Sequence, residues 1–328
     1  MSRLTTCLRT AVFGGVAALA GTLAFAPARA QDYPSRDIHV IVGFPAGSGA
    51  DVYARYFANK LSILSKQSAL VENRPGAAAS IATEAVARAK PDGYTLFIGG
   101  SDSFASPLYL FKKPTTDPRK DFAYISPLVS QGFILMVDAQ KPFKTVADLT
   151  AYLKEKKDKA SYATANNPAT ILAEIYKHSA GLETLQVQYR TSVDFINDMY
   201  GGRIDFVMAD PVFALARINE GKMRPLAVST AKRLRPVAEI PTLQEAGIPN
   251  VDMNLWWVTA APAGTPAAIV DKLNGWFTEI GKMEETRTFL AKFGAEPFIA
   301  TPAETTAHIN KEIKDWAEYV RLAKLEAQ

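Results

Sequence analysis

The sequence predicts an α/β protein, and three observations predict it. Short apolar runs that read as strands alternate with amphipathic helical stretches along almost the whole chain. The strand-like runs are near-continuously apolar, as strands buried on both faces are. Third, 298 of the 328 residues remain after a leader of thirty, a length that suits two domains. Strand–helix alternation of this kind implies a mostly parallel sheet covered on both sides.

The leader opens with Arg3 and Arg9, continues as an Ala/Gly-rich apolar run from Ala11 to Ala26 and ends at Ala28-Arg29-Ala30. Basic start, apolar run and A-x-A site together describe a secretory signal peptide cleaved after Ala30. The run is shorter than the ~20 apolar residues of a spanning helix. The only cysteine, Cys7, lies inside the leader, so a mature chain has no disulfide. It also precedes the apolar run, whereas a lipoprotein cysteine follows it. The expectation is a free periplasmic protein. The formal charge of +4 is carried largely by Arg3, Arg9 and Arg29, which leaves 34 basic against 33 acidic residues. Such a balance offers no electrostatic footprint for nucleic acid or a membrane surface.

The strands are expected, in order, at Val40–Val42, Ala69–Val71, Tyr94–Ile98, Ile134–Val137, Gln186–Tyr189, Phe206–Met208, Leu226–Val228 and Leu255–Val258. A helix capped by Asp51 places Tyr53, Phe57, Leu61 and Leu64 on one face. A second runs from Ser80 to Ala89 and stops before the turn Pro91-Asp92-Gly93. Thr265-Pro266 opens a third, with Ile269, Leu273, Trp276 and Ile280 inward. Thr301-Pro302-Ala303-Glu304 is a capping box with proline at the first helical position. It starts a last helix striped by Ile309, Ile313, Trp316 and Val320. Irregular stretches at Ser130-Gln131-Gly132 and from Pro241 to Asn250 mark two places for the chain to cross between domains. One lobe is then residues 31–131 plus 252–328, and the other is 132–251.

The most informative segment is the loop from Phe44 through Pro45, Ala46, Gly47, Ser48, Gly49 and Ala50 to Asp51. Its glycines let backbone approach a ligand closely. The helix that follows offers free N–H groups and the positive end of its dipole, so an anion site needs no basic side chain. Asp51 reads as the cap of that helix and as a cleft acid. A plain tight turn is the competing reading. A dinucleotide fingerprint fails at Val52, which stands where a third glycine belongs, although Glu72 lies at a suitable distance. A phosphate loop lacks its lysine. Comparable strand ends carry Ser101 and Asp102, Ala165, Asn166 and Asn167, Tyr189, Arg190 and Thr191, and Asp210. Ligands of open α/β sheets bind outside such ends, so these loops are expected to face one cleft. Each taken alone reads more readily as an ordinary polar turn.

Signals of catalysis are weak. None of His39, His178 and His308 has a second His or a Cys at metal-ligand spacing, and no G-x-S-x-G elbow occurs. The reading is a binding protein without catalytic residues, metal or cofactor.

Several motifs in order resemble the substrate-binding proteins of tripartite tricarboxylate transporters, the Bug family. They are Tyr33-Pro34-Ser35-Arg36, the loop Phe44–Asp51 followed by Ala54-Arg55, and Val71-Glu72-Asn73-Arg74-Pro75-Gly76-Ala77. Pro91-Asp92-Gly93-Tyr94-Thr95-Leu96, Asp121-Phe122, Tyr189-Arg190 and Gly201-Gly202-Arg203-Ile204-Asp205 continue the series. Pro241–Gly247 and Ala261–Pro266 complete it. The resemblance implies a periplasmic-binding-protein type II-like fold, two α/β lobes around a central ligand cleft. It also implies a small carboxylate held by backbone N–H groups, delivered by a monomeric receptor to membrane permease subunits. A receptor that docks to a sensor kinase, or an exported α/β hydrolase, are the alternatives. Ser48, Ala50, Thr191 and the pair Asn166-Asn167 stand where the family usually has other residues, mostly glycine, serine or threonine. The ligand's identity is therefore left open, with Asn166 and Asn167 expected to read its far end.

Overall fold

Two separate sheets carry the chain, and their strands come from interleaved stretches of sequence. A computed structural model describes residues 33–327; the leader and its cleavage site lie outside the described residues. In chain order the first elements are β1 (Ile38–Val42), α1 (Gly49–Ser65), β2 (Ala69–Asn73), α2 (Ser80–Ala87), β3 (Thr95–Gly100), α3 (Asp102–Ala105), α4 (Pro107–Leu110) and β4 (Phe122–Gly132). Then follow β5 (Ile134–Asp138), α5 (Val146–Lys156), β6 (Ser161–Thr164), α6 (Asn167–Ala180), β7 (Leu185–Gln188), α7 (Ile196–Tyr200), β8 (Phe206–Ala209), α8 (Pro211–Asn219) and β9 (Met223–Val228). The chain ends with β10 (Asn254–Pro262), α9 (Ala267–Lys282), α10 (Glu284–Ala291), β11 (Glu296–Pro297) and α11 (Pro302–Leu322).

One sheet has the order β11-β4-β10-β3-β1-β2 and the other β7-β6-β8-β5-β9. Both are mixed, which corrects the expectation of mostly parallel sheets. β1 is parallel to β2 and β3, and β6 to β7 and β8. β10 is antiparallel to β3 and β4, and β5 to β8 and β9. The reason is that an apolar run shows burial but not direction. β5 and β10, which run against their neighbours, each follow a crossing between the sheets, and β11 is antiparallel to β4 as well.

β4 was not legible as a strand, because Ser126, Pro127, Ser130 and Gln131 interrupt its apolar pattern. It nevertheless pairs with β10 along its whole length, and the register shifts between Trp257 and Val258, where Val258 faces Pro127. Proline has no N–H to donate, so a ladder tolerates it at such an irregularity. The edge strands also depart from expectation: Leu70 on β2 and Leu185 on β7 are exposed, since an outermost strand is only partly covered.

The helices follow their stripes. Tyr53, Phe57 and Leu61 of α1 are fully buried, as are Ile309, Ile313, Trp316 and Val320 of α11 nearly so. The Thr301–Glu304 capping box forms in both directions. α9 is turned by about one residue from expectation: Val270, Leu273, Phe277 and Ile280 are its buried stripe, while Ile269 and Trp276 are half-buried. Two apolar stripes adjoin on this helix, and packing chose between them.

The chain passes between sheets twice, through Phe133 and through residues 229–253. Ser229 ties the two crossings together. Its Oγ accepts the Phe133 N–H (2.8 Å) and donates to the Met253 carbonyl (2.8 Å). Its own N–H bonds the Phe133 carbonyl, and its carbonyl accepts the Met253 N–H, both at 2.9 Å.

Candidate functional site

The carboxyl ends of β1, β3, β6, β7 and β8 converge on one cleft between the sheets. It contains two adjoining hollows of about 300 Å³ and about 1030 Å³. Phe44, Pro45, Asp102, Ala165, Asn166, Arg190 and Thr191 line both. Ala46, Gly47, Ser48, Gly49 and Asp210 line the smaller one, and Asn167 and Tyr189 the larger. Thirteen of the fifteen residues expected at the site therefore surround one cavity system. Asp51 and Ser101 do not line it.

Asp51 is displaced by its own hydrogen bonds. Ser48, not Asp51, caps α1, its Oγ accepting the Asp51 N–H (3.4 Å). The buried Asp51 carboxylate accepts the Gly47 N–H (2.9 Å), Arg55 Nε (2.8 Å) and Asn73 Nδ2 (2.8 Å). Burial pushes this carboxyl upward, but the Arg55, Gly47 and Asn73 bonds overcome it and hold it below the ordinary range. Asn73 Nδ2 also donates to the Phe44 carbonyl (3.0 Å). The acid thus braces the loop from behind, with three of its roughly four lone-pair sites taken by protein donors. Glu72, at the distance suited to a ribose, bonds His39 Nδ1 and Arg74 instead.

Ser101 also turns away. Its Oγ donates to Glu312 Oε1 on α11 (2.8 Å). Glu312 further accepts from the indole N–H groups of Trp256 and Trp316. Asp102, next in sequence, faces the cleft in front of this cluster. Burial, then the charge of Glu312, pushes the Asp102 carboxyl up to about 7. Burial does the same to Glu312, against the bonds from Ser101, Trp256 and Trp316.

Across the cleft, Asn166 caps α6 through the Ala169 N–H (2.9 Å), and Asp210 caps α8 through the Phe213 N–H (3.1 Å). Burial raises the Asp210 carboxyl, opposed by the Phe213 and Val212 N–H groups. Asn167 Nδ2 donates to Ser106 Oγ (2.7 Å) on the first-sheet side, so this amide is engaged with protein. Gly49 has ordinary helical backbone, but a Cβ there would stand 2.7 Å from Asp210 Oδ1 and 3.3 Å from Val212 Cβ. The glycine is needed because the starts of α1 and α8 meet at this point. Gly47 needs its glycine for another reason, a φ of +80°.

Sequence reasoning missed the walls. Phe133, Val212, Phe213, Leu255 and Trp257 make the smaller hollow largely apolar, and Gln131 and Arg217 also line it. Trp257 and Leu255 were visible only as strand residues. Phe213 and Arg217 lie four apart on the helix that Asp210 starts, which is the one signal that pointed to them. Three wall residues hold buried polar atoms with no hydrogen-bond partner among the described residues: Trp257 Nε1, Arg217 Nε and Thr191 Oγ1. The larger hollow carries strained backbone instead. Ala77, Ala78 and Ala79 have φ of 46°, 51° and 69°, a left-handed conformation that costs about 1–2 kcal/mol per residue.

The comparisons agree with this architecture. A family model described as the tripartite tricarboxylate transporter family receptor matches residues 53–325. The Bordetella pertussis protein BugT is 31% identical over 314 residues, covering 95% of this chain and 96% of BugT. The structure of R. palustris Rpa4515 with adipate superposes with a TM-score of 0.87 at 30% identity, covering 90% of this chain and all of that one. The structure of the periplasmic binding protein BugD gives 0.84 at 28%, with the same coverage. Two α/β sheets facing one cleft are the periplasmic-binding-protein fold, and a match spanning both sheets leaves one assignment: the chain belongs to the receptor family of tripartite tricarboxylate transporters.

Proposed function

We propose that the protein captures a small organic carboxylate in its cleft and delivers it to the membrane subunits of a tripartite transporter. One observation carries this reading: three residues that line one hollow, Trp257, Arg217 and Thr191, each hold a buried polar atom (Nε1, Nε and Oγ1) with no hydrogen-bond partner among the described residues. A buried donor without an acceptor costs about 1–3 kcal/mol, and two of these three atoms can only donate. A carboxylate offers roughly four lone-pair sites for donors of this kind. Adipate in a relative 30% identical fits the same chemistry.

In this reading the site comprises the loops after β1, β3, β6, β7 and β8, with Asp51 and Ser101 as supports. The first lobe is residues 31–131 plus 252–328, and the second is 132–251. They close about the Phe133 and Ser229–Met253 crossings as a hinge. The leader is cleaved after Ala30, the mature chain acts as a monomer in the periplasm, and no step is catalysed.

The test is calorimetry and thermal shift on refolded protein, freed of co-purified ligand, against aliphatic, aromatic, di- and tricarboxylates. A ligand at a hundredfold excess over Kd stabilises by about 2.7 kcal/mol, so binding is seen as a raised melting temperature. Replacing Trp257 by Phe removes one donor at almost constant shape and is expected to weaken binding roughly tenfold. Absence of any response across the panel would sink the proposal.

A further inference from the structure

We infer that Gln131 binds a carboxylate of the ligand directly, and that Tyr53 sets which end of the Gln131 amide faces it. This rests on the carboxylate reading above and adds to that site a contact and its positioning residue.

Gln131 stands near the end of β4, and its side chain, 2% exposed, lines the smaller hollow. Its Oε1 accepts the Tyr53 hydroxyl at 2.8 Å. Its Nε2 has no hydrogen-bond partner among the described residues. A buried amide that spends its oxygen on protein and keeps its NH2 free is a donor waiting for an acceptor. The pairing of β4 with β10 puts a second donor beside it. Gln131 lies opposite Leu255, and Val129 opposite Trp257, so Gln131 and Trp257 are diagonal neighbours on one face of the sheet. Trp257 Nε1, buried and unpartnered, belongs to a residue of the same hollow.

The orientation of the amide follows from Tyr53. This residue lies one turn after Gly49 on α1 and is wholly buried. Its ring is held against Trp257, Phe293 and Phe289, with centroids 5.5, 5.9 and 6.3 Å away. Burial, then the charge of Asp210, pushes the hydroxyl well above its ordinary range, so it keeps its proton. That proton has Gln131 Oε1 as its acceptor. Turning the amide over would leave the buried proton without one, which is costly. The NH2 is therefore locked as the end left for the ligand. A carboxylate can take Trp257 Nε1 on one oxygen and Gln131 Nε2 on the other. A primary amide has a single oxygen to offer, and its own NH2 meets a donor. A site built of donors discriminates strongly against such an analogue.

The experiment is titration calorimetry on the full refolded chain with three matched pairs: adipate and adipamide, succinate and succinamide, benzoate and benzamide. Wild type is expected to bind at least one acid about tenfold or more tighter than its amide. Gln131→Met, of similar length but without the amide, is expected to weaken that acid roughly tenfold. Gln131→Glu keeps an acceptor for Tyr53 and turns a second acceptor toward the hollow, so the acid loses further while the amide gains. Tyr53→Phe keeps the ring packing and frees the Gln131 amide to turn, so the preference for acid over amide shrinks severalfold. A packing role alone would lower the melting temperature and leave that preference unchanged. If wild type binds none of the three acids, the inference fails together with the carboxylate reading. If it binds one and Gln131→Met binds the same acid within about twofold, only the inference fails. An unchanged preference in Tyr53→Phe removes Tyr53 as the positioning residue. If the variants do not fold, a crystal structure of wild type with the bound acid decides. A carboxylate oxygen within about 3.2 Å of Gln131 Nε2 upholds the contact, and none there overturns it.

Discussion

Gly49 and Asp51 differ in role although they stand two residues apart in sequence. Both stand in the loop that sequence reasoning singled out, and packing gives each a partner that the loop alone did not reveal. Gly49 was read as close approach to a ligand; it lines the smaller hollow, and its hydrogen is also needed against Asp210 and Val212. Gly49→Ala is therefore expected to prop the cleft ajar. Carboxylate affinity should fall more than tenfold, while the melting temperature changes by only a few degrees. Equal loss of both, measured by calorimetry and thermal unfolding, would count against this. Asp51 was read as a helix cap and cleft acid, but it braces the loop through Gly47, Arg55 and Asn73. The spacing of Ser48 and Asp51 suits either residue as cap, and only the position of Asn73 on the neighbouring strand settles which way the carboxylate turns.

At the scale of elements, α11 does more than cover a sheet. Its apolar stripe was plain from sequence, yet Glu312, one residue before Ile313, points inward to Ser101, Trp256 and Trp316. A charged residue adjoining an apolar stripe reads as solvent-facing until a partner element is known. The titratable groups around it are Asp102 at the end of β3, and Asp315 and Tyr319 on α11 itself. Asp102 and Glu312 both rise to about 7 from ordinary values near 4, so the folded state binds more protons than the unfolded one between those limits. Stability contributed by the neutral pair is present below about pH 4, declines as pH climbs toward 7 and is gone above it. Glu312→Gln is expected to flatten this decline, by several degrees of melting temperature between pH 5 and 8. Because two indoles donate to Glu312, tryptophan emission should also titrate near pH 7 in the wild type and not in the variant. A wild-type emission flat across that range would contradict the assignment.

For the whole molecule, two crossings join the sheets, and Ser229 ties them together with four hydrogen bonds. Ser229→Ala removes two of these and leaves the Phe133 N–H buried without its acceptor. A loss of about 1–3 kcal/mol is expected, read as a lower denaturant midpoint, with ligand affinity changed less than tenfold because Ser229 holds the wall residue Phe133 through backbone atoms and not through its ring. A large loss of affinity at unchanged stability would instead place Ser229 in the site. The sequence by itself determined the α/β class, most strands and helices, and the loops that line the cleft. These follow from local periodicity, from capping residues, and from the rule that ligands bind at strand ends. The tertiary structure alone decided strand direction, the central place of β4, the inward turn of Glu312, and the meeting of Gly49 with Asp210. It also decided that Trp257, Arg217 and Thr191 share one hollow. Each of these depends on groups far apart in the chain, and burial between them leaves no periodic mark on either segment.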